Sequence, residues 1–269
     1  MLLIHKLQED WAADLLRREG AEEVEALGTW EEVAKVHSEI FLKTAKKLGE
    51  KPLAALAVAE AAAAREKAIF YAGGSMFAGL HAPRGGHFFN AAAYIAKKTG
   101  ASLVSIDRHF PTGSWELHLE HKFPLYVIYG GADGPTPKYI HKKGHKALGI
   151  AVPPGGGDKS LWAALSYVLK AVQDPLVIHL GFDVHKDDVT GYHFASGYLY
   201  YKLGKALSQR RFYISIECPS SPRVFAESLK SLLAGLRGEE RDYQPAEESR
   251  EALREVEAQI RRLKKLQSR

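Results

Sequence analysis

The sequence predicts an α/β chain with a mostly parallel central sheet and helices on both faces. Three observations carry this. The runs 101–107 (ASLVSID), 123–130 (FPLYVIYG), 175–183 (PLVIHLGFD) and 211–218 (RFYISIEC) are almost continuously apolar. Strands of that composition are buried on both faces, as in parallel sheets. Helical stretches at 159–173, 195–208 and 222–236 separate several of them. Finally, Asp107, Asp183 and Glu217 lie at or near the ends of three runs, and in such sheets function sits beyond the carboxyl ends of the strands.

The remaining elements follow in chain order. Residues 5–19 and 30–48 read as helices, the second opening at Thr29 with Glu32 three residues on, a capping pair. The alanine-rich stretch 52–70 reads as one helix packed closely on the sheet. A glycine-rich connection, YAGGSMFAGLHAPRGG, leads into a helix through NAAAYIAKKTG that stops at Gly100. After the linker GEERDYQPAEES, Leu253, Val256, Ile260 and Leu263 recur at helical spacing. The chain thus divides into an α/β domain over 1–238 and a linker with an amphipathic helix over 239–269. That helix is too short to stand alone in water, so it is expected to self-associate into a homo-oligomer or to pack on the body.

Composition narrows the class. With 46% hydrophobic and 26% charged residues, the chain is a globular protein, not a disordered or collagenous one. A single cysteine, Cys218, excludes an internal disulfide framework and a cysteine-rich zinc module. The net charge of +5 tolerates nucleic acid without demanding it, and the basic stretch 138–146 (KYIHKKGHK) reads as a solvated loop. No apolar stretch approaches the roughly 20 residues of a membrane span. The opening MLLIHKLQEDW turns acidic too soon for a signal peptide, so a cytoplasmic location is expected. GGSMFAG and PPGGGD lack the spacing of a dinucleotide or P-loop fingerprint.

The sharpest chemical signal is Ser105-Ile106-Asp107-Arg108-His109. Residues i and i+2 at a strand end point to the same side. The carboxylate of Asp107 and the imidazole of His109 can therefore converge on one metal ion. Asp183, from a neighbouring run, completes a triad. Zinc accepts three protein ligands and leaves a fourth place open; iron suits the same donors. Asp183 also reads as a helix N-cap, Asp187 and Asp188 as caps or surface groups, and His185 and His193 as mouth or surface groups. No feature marks Cys218 as a low-pKa nucleophile.

The order of motifs resembles the histone deacetylase superfamily, which includes acetylpolyamine amidohydrolases and acetoin-utilization proteins. The pieces are GLHA (79–82), GGHFFNAAAYIA (85–96), LVSIDRHFPTG (103–113), IAVPPGGGD (150–158), HLGFDVHKDD (179–188) with Gly197-Tyr198, and ECPSSPRVFAESLKSLLAGL (217–236). The resemblance implies a three-layer arginase/deacetylase-like fold and assigns Asp107, His109 and Asp183 as zinc ligands. It also exposes departures. Leu80-His81 stands where the family has two adjacent histidines before alanine, leaving His81 as general base. Ser105 and Thr112 replace the aspartates that orient those histidines, and Ser220 replaces the oxyanion tyrosine. His87 occupies the place of a pocket-lining cysteine and is the second candidate proton carrier; a satisfied structural histidine is the other reading. The implied activity is zinc-dependent deacylation of an acylated amine or acyl-lysine by an eroded site. The alternative is a degenerate zinc-binding homologue that binds a ligand or partner.

Overall fold

The computed structural model describes residues 2–130, 140–142 and 144–267. Nine strands form one sheet among these residues: β1 (Leu2–His5), β2 (Glu22–Val24), β3 (Lys67–Tyr71), β4 (Ser102–Asp107), β5 (Leu125–Gly130), β6 (Ile140–Lys142), β7 (His145–Val152), β8 (Leu176–Leu180) and β9 (Phe212–Ile216). Their spatial order is β2-β1-β3-β9-β8-β4-β5-β7-β6. Every neighbouring pair is parallel except β6 with β7. Of the basic stretch 138–146, residues 138, 139 and 143 lie outside the described residues.

Among the described residues ten α-helices cover the sheet: α1 (Trp11–Arg18), α2 (Trp30–Ala34), α3 (Glu39–Ala45), α4 (Lys51–Ala63), α5 (Ala91–Thr99), α6 (Thr112–His121), α7 (Asp158–Ala171), α8 (Gly197–Leu207), α9 (Pro222–Leu236) and α10 (Arg250–Gln267). Strand residues alternate between two apolar cores. Val104, Ile106, Ile128 and Ile178 enter one, with side chains from α1 and α7–α10. Leu103, Val127, Val177 and Tyr213 enter the other, with side chains from α2–α6. The strands are thus buried on both sides, which is why their sequences read as continuous apolar runs. The result is the expected three-layer α/β architecture.

Several elements differ from the sequence reading. The stretch read as a helix from residue 5 begins with β1, and α1 starts at the Asp10 cap, whose carboxylate accepts from the Ala13 amide at 2.9 Å. The helix read over 30–48 is broken, because Ser38 caps α3 afresh. The alanine run ends at Ala63, and 67–71 (KAIFY) turns into β3, where aromatic and β-branched residues pack between sheet neighbours.

The C-terminal segment is seated on the body. Ala252, Val256 and Leu263 of α10 are buried, and the Gln259 amide bonds both backbone groups of Ala151 on β7, at 3.0 and 2.8 Å. A side chain there does what another strand would do for an open edge. Glu248 accepts from the Gly157 and Ser160 amides at the start of α7. Among the described residues, no helix is long and apolar enough to cross a membrane.

Candidate metal centre

Four adjacent strands, β3, β9, β8 and β4, deliver their following residues to one place. β4 ends at Asp107, and His109 follows on the turn. β8 ends at Leu180, three residues before Asp183, so Asp183 stands on the loop rather than at the strand end. Three backbone bonds tie these ends together: Gly181 N–H to Ile106 O (2.9 Å), Phe182 N–H to Cys218 O (2.8 Å) and Glu217 N–H to Leu180 O (3.0 Å). A Cβ on Gly181 would stand 2.1 Å from Asp107 Oδ2, so only glycine leaves room for the carboxylate.

The structure brings Asp107, His109 and Asp183 together. His109 Nδ1 lies 2.9 Å from Asp107 Oδ1 and 2.9 Å from Asp183 Oδ2. The His109 amide donates to Asp107 Oδ1 (2.8 Å), and the Arg108 amide donates to Asp183 Oδ1 (3.1 Å). Both carboxylates are buried, yet Asp107 Oδ2 and Asp183 Oδ2 accept no hydrogen bond. One imidazole N–H cannot satisfy both acids. Buried carboxylate oxygens left this way are costly unless a cation meets them. The donor set, two carboxylate oxygens and one Nδ1, therefore fits a zinc-class divalent ion.

The electrostatics match that picture. Burial raises the pKa of Asp107, and the nearby Asp183 charge raises it further. The two carboxylates, Asp107 first and then Asp183, raise that of His109. An Arg108 guanidinium nitrogen lies 2.6 Å from His109 Nε2. A guanidinium only donates, so in the metal-free protein this contact suits a ring whose proton is on Nδ1. Cys218 is also here: its Sγ is 3.7 Å from His109 Nδ1. Burial first, then the Asp107, Asp183 and Glu217 charges, raise its thiol pKa.

The structure does not bring His81 to this cluster. His81 is exposed, and its Nδ1 pairs with Ser38 Oγ at 2.9 Å, at the start of α3. The pair before an alanine that lies near the end of β3 is Met76-Phe77, ahead of Ala78, and not Leu80-His81 ahead of Ala82. The Phe77 ring meets His109 edge-on at 5.7 Å and His87 at 4.9 Å. Phe77, and not His81, is the side chain beyond β3 that faces His109.

His87 is buried. Its Nδ1 accepts from the Phe77 amide (3.2 Å) and lies 3.8 Å from Glu217 Oε2. Burial lowers its pKa against the opposing pull of Glu217. Ser105 is buried, with its Oγ lacking a hydrogen bond. Ser220 takes a left-handed φ of 63°, and its Oγ donates to Asp188. His185 and His193, read as mouth or surface groups, and Asp188, read as a cap or surface group, are buried: Asp188 accepts from Ser220 and from the Thr190 amide and hydroxyl, and His193 Nε2 pairs with Val152 O.

A second group was missed by the sequence reading. His179, on β8, is fully buried between Ser114 Oγ (2.8 Å) and Glu217 Oε1 (2.7 Å). Glu217 also accepts from the Ser75 amide and hydroxyl, both 2.7 Å, from the Met76 amide (3.0 Å) and from Ser215 Oγ (2.6 Å). Burial alone would raise its pKa; the interactions with His179, His87 and Ser215 outweigh it and hold the carboxyl at about 2. A lone histidine inside the apolar run LVIHL was the available signal, because a buried imidazole needs a partner.

No family model and no curated protein matches the sequence. Solved structures do. The HD domain of HDA15 superposes with a TM-score of 0.74 at 18% identity, over 93% of this chain and 86% of that one. An acetylpolyamine aminohydrolase from Burkholderia pseudomallei superposes with a TM-score of 0.71 at 17% identity, over 84% of this chain and 89% of that one. With three layers, a largely parallel sheet and these neighbours, the chain has the fold of the histone deacetylase superfamily.

Proposed function

We propose that this chain is a metal-binding protein of the deacetylase fold. It holds one zinc-class ion on Asp107, His109 and Asp183, and it binds an acylated amine or acyl-lysine without turning it over efficiently. The observation that carries this reading is Phe77: the side chain facing His109 from the end of β3 is an aromatic ring with no proton to give or take. A bound zinc-class ion supplies Lewis acidity toward a carbonyl oxygen. The chain supplies little else. Ser220 spends its hydroxyl on Asp188, and His81 faces outward beside Ser38. A missing general base costs about 10²–10⁴ in rate, and a missing oxyanion donor costs ~10²–10³. Together they place turnover roughly 10⁴–10⁷ below that of an intact site.

The test is metal analysis combined with an assay of acetyl-lysine peptides, acetylpolyamines and acyl anilides. The expected result is about one ion per chain, lost in Asp183→Ala, with turnover at the level of the chelated control. Rapid, chelator-sensitive hydrolysis would overturn it. One observation favours a slow hydrolase instead: His87 lies beside Phe77 with Glu217 behind it. In that case, activity would be weak but would vanish in His87→Ala.

A further inference from the structure

The geometry points to Cys218 as a fourth protein ligand of the same ion, which makes the centre an Asp₂-His-Cys site held wholly by the chain, with an acylated amine binding beside the ion rather than on it. This rests on the metal reading above and extends it to a fourth residue.

Three observations support it. The ligand atoms of Asp107, His109, Asp183 and Cys218 all lie within 4.8 Å of one another. A tetrahedral zinc with sulfur at ~2.3 Å and nitrogen at ~2.0 Å separates those two atoms by roughly 3.5 Å; Cys218 Sγ is 3.7 Å from His109 Nδ1. Second, two acceptors with no hydrogen bond, Asp107 Oδ2 and Asp183 Oδ2, belong to the same cluster and call for a cation there, independently of the thiol. Third, the backbone fixes Cys218 against the ligand loop. Its carbonyl accepts from Phe182 N–H, next to Asp183, and its neighbour Glu217 is held by the β3–β9 network.

The chemistry balances simply. The Cys218 S–H bond breaks, its proton goes to solvent, and the sulfur lone pair forms the bond to the ion, with no change of oxidation state. A coordinating thiol is deprotonated outright. Two carboxylates and a thiolate then outweigh a dication by one negative charge. A zinc site filled by four protein donors is of the structural kind. Here it would clamp the end of β4, the loop after β8 and the end of β9.

The other metal-like group, His185 with Asp187 and Glu227, does not share this logic. Its carboxylates, Asp187 and Glu227, are only half-buried, and neither leaves a buried oxygen without a partner.

The experiment loads the full-length protein with cobalt(II) and, separately, with zinc. The cobalt form of the wild type should show a thiolate-to-cobalt charge-transfer band in the near ultraviolet. Cys218→Ala should lose that band, keep one ion at saturation and bind at least tenfold more weakly, since even loss of an outer partner costs about 10–100-fold. X-ray absorption of the wild-type zinc form should show one sulfur neighbour at ~2.3 Å. This measurement needs no variant and so does not depend on Cys218→Ala folding. Stoichiometric cobalt without the band, or zinc with only oxygen and nitrogen neighbours, overturns the inference and leaves the three-ligand reading standing. No bound metal in the wild type overturns both.

Discussion

Two halves of the same sheet end treat their buried polar groups in opposite ways. On the β4–β8 side, two buried carboxylates share one imidazole and keep oxygens with no hydrogen bond. On the β3–β9 side, the Glu217 carboxylate takes three side-chain and two backbone donors, and His179 uses both ring nitrogens. The first half is incomplete without a cation. The second is complete as it stands. The contrast teaches where function has been kept: a satisfied buried network specifies structure, whereas an unsatisfied one calls for a ligand.

The largest effect should come from breaking the closed half. Glu217→Ala leaves His179 Nδ1, two amides and two hydroxyls without their acceptor. Removing one partner of a buried pair costs about 3–5 kcal/mol. Denaturant unfolding of the metal-free protein should show that loss. A change under 1 kcal/mol would mean the network is ornamental and the contrast is wrong.

Asp183→Ala, in the open half, should behave in the opposite way. It should abolish stoichiometric metal yet leave the chelated protein within about 1 kcal/mol of wild type, because it also removes carboxylate repulsion. A severe loss of stability in chelator would show that the cluster is structural even when empty of metal.

The two halves should also separate by pH. Glu217 is held at about 2, below its ordinary value. Its contribution is therefore fully present above the ordinary carboxylate range and is lost as pH falls toward 2. His109 is shifted upward by the two carboxylates. In chelator, its contribution is fully present below its ordinary value and fades as pH rises through its elevated one. Stability against pH in chelator should fall at both ends. Glu217→Gln should flatten only the acid limb and Asp183→Asn only the alkaline one; a variant that moves the other limb would show that the halves are coupled.

Legibility in the sequence followed the same division. β4, β5, β8 and β9 were readable because burial on both faces makes them apolar throughout. β1 and β3 were not. Leu2–His5 is four residues long, and Lys67–Tyr71 directly follows an alanine helix, so neither shows a period of its own. β7 is interrupted by Gly149 and lies next to an edge covered by Gln259 rather than by a long strand. At the site, Asp107 and His109 were legible from local spacing, and Asp183 because it follows an apolar run. Phe77 was not, because two pairs before alanine occur four residues apart and only the second contains a histidine. The distance from the end of β3 decides between them, and that distance was hidden while β3 was read as helix.

The smallest effect expected is also the most informative about erosion. Phe77→His restores an imidazole to the position facing His109, where a working base contributes about 10²–10⁴. We expect a gain below tenfold. A base needs a fixed tautomer and orientation, which a carboxylate partner usually supplies. Here β4 offers Ser105, a short hydroxyl, and the start of α6 offers Thr112. The new ring would also give up the Phe77 contacts with His87 and His109. Adding Ser105→Asp to Phe77→His places a further buried acid near Asp107 and Asp183, so its own desolvation cost limits the rescue. Assay of the single and double variants on acetyl-lysine peptides, with chelator controls, measures this directly. A rise above about 10²-fold from Phe77→His alone would mean that one side chain separates this site from a working hydrolase. The closed network on the β3–β9 side would then be a neighbour of the chemistry and not its replacement.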